Sequence, residues 1–308
     1  MPERLFLFIQ MEFPWELGPP DGRYVLRAQA GADPERVVVL GTLAADRAAS
    51  RRAGPGRLRR SLGADAGPQA TPEPAPVRTS RATIVDPVSL SAERQAQAWL
   101  SQLDSERESQ AAISVLNRIL HAHRIASADP HIHEVSAAQA LVIRAGWGDG
   151  EQVAYGRWLH ALELPRASRR VRRVAALRPQ ERLAELLGAR GEALLCEELL
   201  LRARLDLDHG RLIHGAVELN AAYAAALPEL RAEDRQDLAI RIAELDQLRA
   251  GVVAQALAAM PAAGDSTDAT ASTGPLGEEK LDEEVLRHAL QRLEAALRAR
   301  TATGFARD

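Results

Sequence analysis

Leu5-Phe-Leu-Phe-Ile-Gln-Met-Glu-Phe13 is the stretch that decides the fold class. Leu5, Leu7, Ile9, Met11 and Phe13 alternate with Phe6, Phe8, Gln10 and Glu12. Successive side chains of a strand point to opposite faces, so this spacing predicts a β-strand with one wholly apolar face. Next, Gly18-Pro-Pro-Asp-Gly22 is turn chemistry, because proline presets φ and glycine accepts positive φ. It leads into a second expected strand at Arg23 to Arg27, and the β-branched run Arg36-Val-Val-Val-Leu-Gly-Thr-Leu-Ala44 reads as a third. Arg81 to Asp86 adds a fourth, which Pro87 ends or confines to an edge. A small N-terminal antiparallel sheet is the expectation.

From Ser91, an expected N-cap, the apolar period lengthens to about 3.6 and helices take over. Ala98, Leu100 and Leu103 mark a first helix, and Ile113, Leu116, Ile119 and Leu120 mark one face of the next. Ser136 is expected to cap a segment running through Leu141. The stretch from Leu141 to Trp158 admits a hairpin closed by Asp149-Gly150, but helix, loop, helix is the expectation. A short helix starts at Arg178 with Pro179 in its first turn. Three longer ones follow at 192–208, 212–226 and 233–259, divided by Gly210 and Pro228. Ala203, Gly210, Gly215, Leu219 and Ala222 lie at offsets similar to one tetratricopeptide helix pair. A shift of about 34 residues, the period of that repeat, recovers no second copy, so the pattern predicts a single close-packed α-hairpin.

The fold class expected is therefore α+β: a small N-terminal antiparallel sheet, a larger helical body and a tethered C-terminal amphipathic helix. The boundaries fall at 1–88, with an Arg/Pro-rich mobile loop at about 44–80, then 89–260, a low-complexity linker at 261–280 and the tail helix at 281–301. In that tail, Glu283 and Glu284 lie early and Arg298 and Arg300 late, matching the helix dipole. Leu286, Leu290, Leu293 and Leu297 make one apolar stripe.

Composition narrows the function classes. The chain has 308 residues, 39 basic against 42 acidic, and a net charge of −3, which gives no global electrostatic case for nucleic acid or an anionic membrane. Arg47, Arg51, Arg52, Arg57, Arg59 and Arg60 form a basic run, but lysine and interleaved aromatics are missing from it. Lys280 is the only lysine, a bias that fits an arginine-rich, GC-biased bacterial genome and discounts arginine motifs. The apolar core Leu5 to Ile9 is too short for a signal peptide, and no run approaches the ~20 apolar residues of a membrane span. A cytoplasmic location is expected.

Candidate chemistry is sparse. Four of the eight histidines, His121, His123, His131 and His133, fall close together beside Asp129 and Glu134. Imidazole and carboxylate suit a divalent transition metal. On a helix His121 and His123 diverge by about 200°, so a site would use His131 and His133 with Asp129 or Glu134 and one upstream histidine. Arg204 with His209 and Arg118 with His123 are similar to the Arg–His spacing of HEPN nucleases, yet so many arginines produce such pairs by chance. GxSxG and HExxH motifs are missing, Gly146-Trp-Gly-Asp-Gly150 reads as a turn, and Cys196 reads as a small apolar residue. The expected function is that of a non-enzymatic interaction or scaffold protein needing no cofactor. Leu286, Leu290, Leu293 and Leu297 would contact a protein partner or a second copy, unless they pack on the protein's own body. The alternative is a metal-dependent enzyme built on the histidine cluster.

Overall fold

The computed structural model describes residues 4–43, 78–165, 173–260 and 281–303, and the chain divides into two compact units, Met1–Arg169 and Arg170–Asp308. The α+β class holds, with the sheet in the first unit and a helical body in the second. Most of the 44–80 loop, the linker at 261–280 and Arg166 to Arg172 lie outside the described residues. Among the described residues no helix is long and apolar enough to cross a membrane.

The first unit is built on one six-stranded antiparallel sheet. Its strands are β1 (Leu5–Phe13), β2 (Gly22–Leu26), β3 (Arg36–Leu43), β4 (Thr79–Val85), β5 (Val142–Asp149) and β6 (His160–Glu163), in the order β2-β3-β4-β1-β5-β6. The four strands expected from the sequence form. β1 is central because both of its edges are paired: Ile9 is level with Ile84 of β4 on one side and Ala145 of β5 on the other. Ile9, Met11 and Phe13 share a core with Ile113, Leu116 and Leu120 of α2 (Ser105–Ser127). Leu5 packs with Trp147 and with Ala96 of α1 (Glu93–Ser101). α1 begins after Ala92 without a side-chain cap, so the expected Ser91 cap is not made, whereas Asp104 caps α2 by accepting from the N–H groups of Glu106 and Arg107.

Two expectations are corrected here. Residues 141–158 are strand, 3₁₀ turn and loop rather than two helices, since Ile143, Ala145 and Trp147 face the core and Arg144, Gly146 and Gly148 the other way. At Gly146 the chains approach so closely that a Cβ would lie 2.1 Å from the His160 carbonyl oxygen, so glycine permits the β5–β6 pairing. Further, α1 and α2 belong to the sheet unit, because their apolar sides cover the sheet. The division between compact units therefore falls near residue 170 instead of 88.

The second unit contains α3 (Arg173–Leu187), α4 (Leu195–Asp208), α5 (Leu212–Ala232), α6 (Ala239–Ala259) and α7 (Glu283–Thr303). α4 and α5 form the expected α-hairpin, turning at Gly210 with φ +71. Gly215 faces Leu207 so closely that a Cβ would sit 2.6 Å from Leu207 Cδ2. Pro228 lies inside α5 instead of ending it. Pro228 has no N–H to donate one turn back, but it and Ala224 are exposed, where that loss costs least, while buried Leu227 and Leu230 hold the helix on its inner side.

α7 completes the bundle. Leu286, Leu290, Leu293 and Leu297 are buried with Leu207, Leu219, Tyr223 and Leu245 in one core. Polar contacts lace the same seam: the Tyr223 hydroxyl donates to the Ala289 carbonyl at 2.8 Å, and Arg287 donates to the Leu207 carbonyl at 2.8 Å. Arg300 pairs with Glu233 and Glu197.

Candidate functional site

The face of the sheet turned away from α2 carries the most specialised chemistry of the first unit. β1 presents Phe8, Gln10 and Glu12 there, and the register sets Thr83 and Arg144 level with Gln10, and Arg81 level with Glu12. After β5 the chain folds back across this face as a 3₁₀ turn, Gly150–Tyr155. Gly148 makes room for it, since a Cβ there would meet Val153 at 2.7 Å. Gly156, at φ +76, lies directly over the Arg81 guanidinium, where a side chain would collide with Nη1 at 2.6 Å.

Under and beside this turn runs a polar seam. Arg81 and Arg144 both donate to Glu12 Oε1, at 3.3 and 3.0 Å. All three side chains are mostly buried, with exposures of 22%, 27% and 18%. In that setting removing one partner costs far more than for an exposed ion pair. Arg144 also lies over the Trp158 ring at 5.9 Å, and Trp158 stacks on Phe8 at 5.7 Å. Gln10, fully buried, donates to Thr83 Oγ1 at 2.9 Å, and Thr83 donates to the Ala154 carbonyl at 3.4 Å. The seam thus fastens the 3₁₀ turn to the sheet.

Between that turn and the β3 side of the sheet lies a trough of about 360 Å³. Phe6, Val37, Val39, Val85, Ala154 and Tyr155 line it, so its walls are mainly apolar. An ion pair between Arg23 of β2 and Glu151, at 3.0 Å, stands at the rim. β2 is an edge strand, paired to β3 alone among the described strands. Val25 on it is 44% exposed and stands level with Val37 in the same row of side chains. The arrangement offers an apolar seat, a charged rim and a backbone edge, which suits binding of an extended segment.

The residues singled out by the sequence are placed otherwise. His131 and His133 are exposed in a loop, and the Asp129 carboxylate accepts from the His131 N–H at 2.9 Å, so it shapes the turn. Glu134 turns inward to His121, with 3.6 Å between Oε1 and Nδ1, and Arg124 stands 3.1 Å from the same ring nitrogen. Among the described residues no three His, Cys, Asp or Glu side chains converge as a metal site. Glu134 is thus engaged with His121 and Asp129 with the backbone, so the expected set is not gathered round one point among the described residues. Arg204 is held by Asp208 and Glu294, while His209 bonds the Leu205 carbonyl. Cys196 is buried, and burial followed by the adjacent Glu229 carboxylate pushes its thiol up, against nucleophilic use. Leu286, Leu290, Leu293 and Leu297 are core residues, so a partner would reach them only by displacing α7.

Comparison with protein-family models, curated proteins and solved structures finds no match to this chain.

Glu12, Arg81, Arg144, Tyr155 and Trp158 escaped the sequence reading. The usable signal is in β1 itself, whose second face runs Phe6, Phe8, Gln10, Glu12 and is too apolar to be wholly solvated.

Proposed function

We propose that this is a non-enzymatic, cytoplasmic interaction or scaffold protein whose N-terminal sheet docks an extended segment of a protein partner. The observation that carries the reading is the apolar trough lined by Val37, Val39 and Val85, opening beside the edge strand β2. Main-chain hydrogen bonds to an edge supply affinity in such binding, and pockets for alternate side chains supply selectivity. The segment adds a strand to β2 and seats an apolar side chain in the trough, while its polar positions meet the Arg23 and Glu151 rim. Pinning of the 3₁₀ turn by Arg81 and Thr83 keeps the seat formed before binding, which lowers the ordering cost of association.

The test is selection of a random-peptide display library on the intact protein, with the Val39→Glu variant as counter-selector. Peptides of alternating pattern with an apolar centre, bound by the wild type and lost by a folded Val39→Glu protein, support the reading. Failure to enrich any peptide, or equal binding to both proteins, refutes it.

A further inference from the structure

The backbone of β2 fixes how a segment can join its edge. The Leu26 carbonyl accepts from the N–H of Glu35, the residue before β3, at 2.8 Å. Backbone groups alternate in direction along a strand, so Gly22, Tyr24 and Leu26 turn theirs to β3, while Arg23 and Val25 turn theirs to the open edge. Their side chains lie on the trough side of the sheet, since Val25 is level with Val37 and Arg23 with Val39, and both of those valines line the trough. Arg23 and Val25 therefore offer main-chain donors and acceptors at the edge together with one cation and one apolar side chain on the trough side.

Charge sets what lies beside them. Arg23 and Glu151 are the charged residues among those lining the trough. Arg23 stands on the edge strand itself, whereas Glu151 belongs to the 3₁₀ turn, so the residue of an added strand that pairs with Arg23 has its Cβ within about 5.5 Å of the Arg23 Cβ. Arg23 donates to Glu151 through Nη1 at 3.0 Å, and a guanidinium has five N–H donors, so it can hold a second carboxylate. The charged residues flanking β2 are turned to other partners: Asp21 accepts from the Thr42 hydroxyl at 2.8 Å, and Arg27 donates to the Ala32 carbonyl. Every pairing in the sheet is antiparallel, and a strand added in that sense runs from Val25 toward Arg23. We propose that the docked segment reads, from its N-terminal side, apolar residue, any residue, acidic residue, with the apolar side chain against Val25 and the carboxylate on Arg23, which selects it. The inference rests on the docking reading above and adds direction, register and charge to it.

The experiment is selection of a random-peptide display library in parallel on the full-length wild type, Arg23→Glu and Arg23→Gln, each checked for folding by circular dichroism. The wild type is expected to enrich an acidic residue two positions after an apolar one. Arg23→Glu should enrich a basic residue at that position, and Arg23→Gln should show no charge preference there. In an enriched peptide, exchanging the acid for its amide should weaken binding to the wild type about two- to fivefold and leave binding to Arg23→Gln unchanged. Peptides that are lost on Val39→Glu but keep the same residue preference on folded Arg23→Glu or Arg23→Gln overturn this inference and leave the docking reading standing. So do peptides in which the acid precedes the apolar residue. Enrichment of no peptide at all overturns both.

Discussion

Replacing Leu290 by alanine discriminates sharply between a docked and a free C-terminal helix. Leu290 is 3% exposed and shares a core with Leu286, Leu293 and Leu297 of α7 and Leu207 and Tyr223 of the bundle. Removing its isopropyl end takes away three carbons, about 2.4 kcal/mol at roughly 0.8 kcal/mol per buried methylene. The cavity left between helices that cannot fully close raises the total to about 3–4 kcal/mol. With a urea slope of about 2 kcal/mol/M for a domain of this size, the unfolding midpoint falls by about 2 M. The chain supplies its own two-channel assay. All four tryptophans, Trp15, Trp99, Trp147 and Trp158, lie in the first unit, while α4 to α7 lie in the second and supply much of the helical signal. Helicity followed at 222 nm should therefore lose stability in its bundle component, and tryptophan emission should keep its midpoint. If the helical transition stays where it is, α7 is not docked and the reasoning fails.

Other expectations follow from the same contacts. Asn117, fully buried, donates to the Val135 carbonyl at 2.8 Å and accepts from the Val135 N–H at 2.9 Å. Asn117→Ala strands both backbone groups, so the tryptophan-monitored unit should lose about 2–4 kcal/mol, and a loss under ~1 kcal/mol in urea titration would contradict the bond pair. Gly146→Ala should break the β5–β6 pairing through the collision with His160, exposing Trp147 and shifting its emission to longer wavelength; unchanged emission and stability would show that the strands tolerate a side chain there. Burial pushes both the Cys196 thiol and the Tyr223 hydroxyl up, so the native second unit holds these protons when the unfolded chain releases them. Its stability is then full below the ordinary thiol value of about 8.5 and falls as pH rises through that value and the ordinary tyrosine value of about 10. Cys196→Ala should flatten the first part of that decline, and an equal slope in the variant counts against the thiol's share. Protein purified without chelator should carry no stoichiometric zinc, manganese or iron by elemental analysis; a near-integral content lost in a folded His131→Ala, His133→Ala variant would restore the metal reading.

What could be read in the chain by itself is what short periods encode. Alternation in Leu5 to Phe13, turn chemistry at Gly18 to Gly22, the β-branched run after Arg36 and the short run Arg81 to Asp86 sufficed for four strands, because side-chain direction in a strand is local. The 3.6 period sufficed for α2, the α4–α5 hairpin and α7, including the stripe that α7 buries. Residues 141–158 could not be settled this way: Arg144, Gly146 and Gly148 weaken the alternation, and β5 is held as a strand by β1, more than a hundred residues earlier in the chain. The destination of the α7 stripe was likewise open, since an amphipathic helix presents the same pattern to a partner and to its own bundle. Tertiary packing alone decided it, by supplying Tyr223, Leu207 and Leu245 as the surface it covers. The trough and the Glu12, Arg81, Arg144 seam were invisible for a related reason. Their members come from five strands and a turn, and only the register of the sheet makes them neighbours.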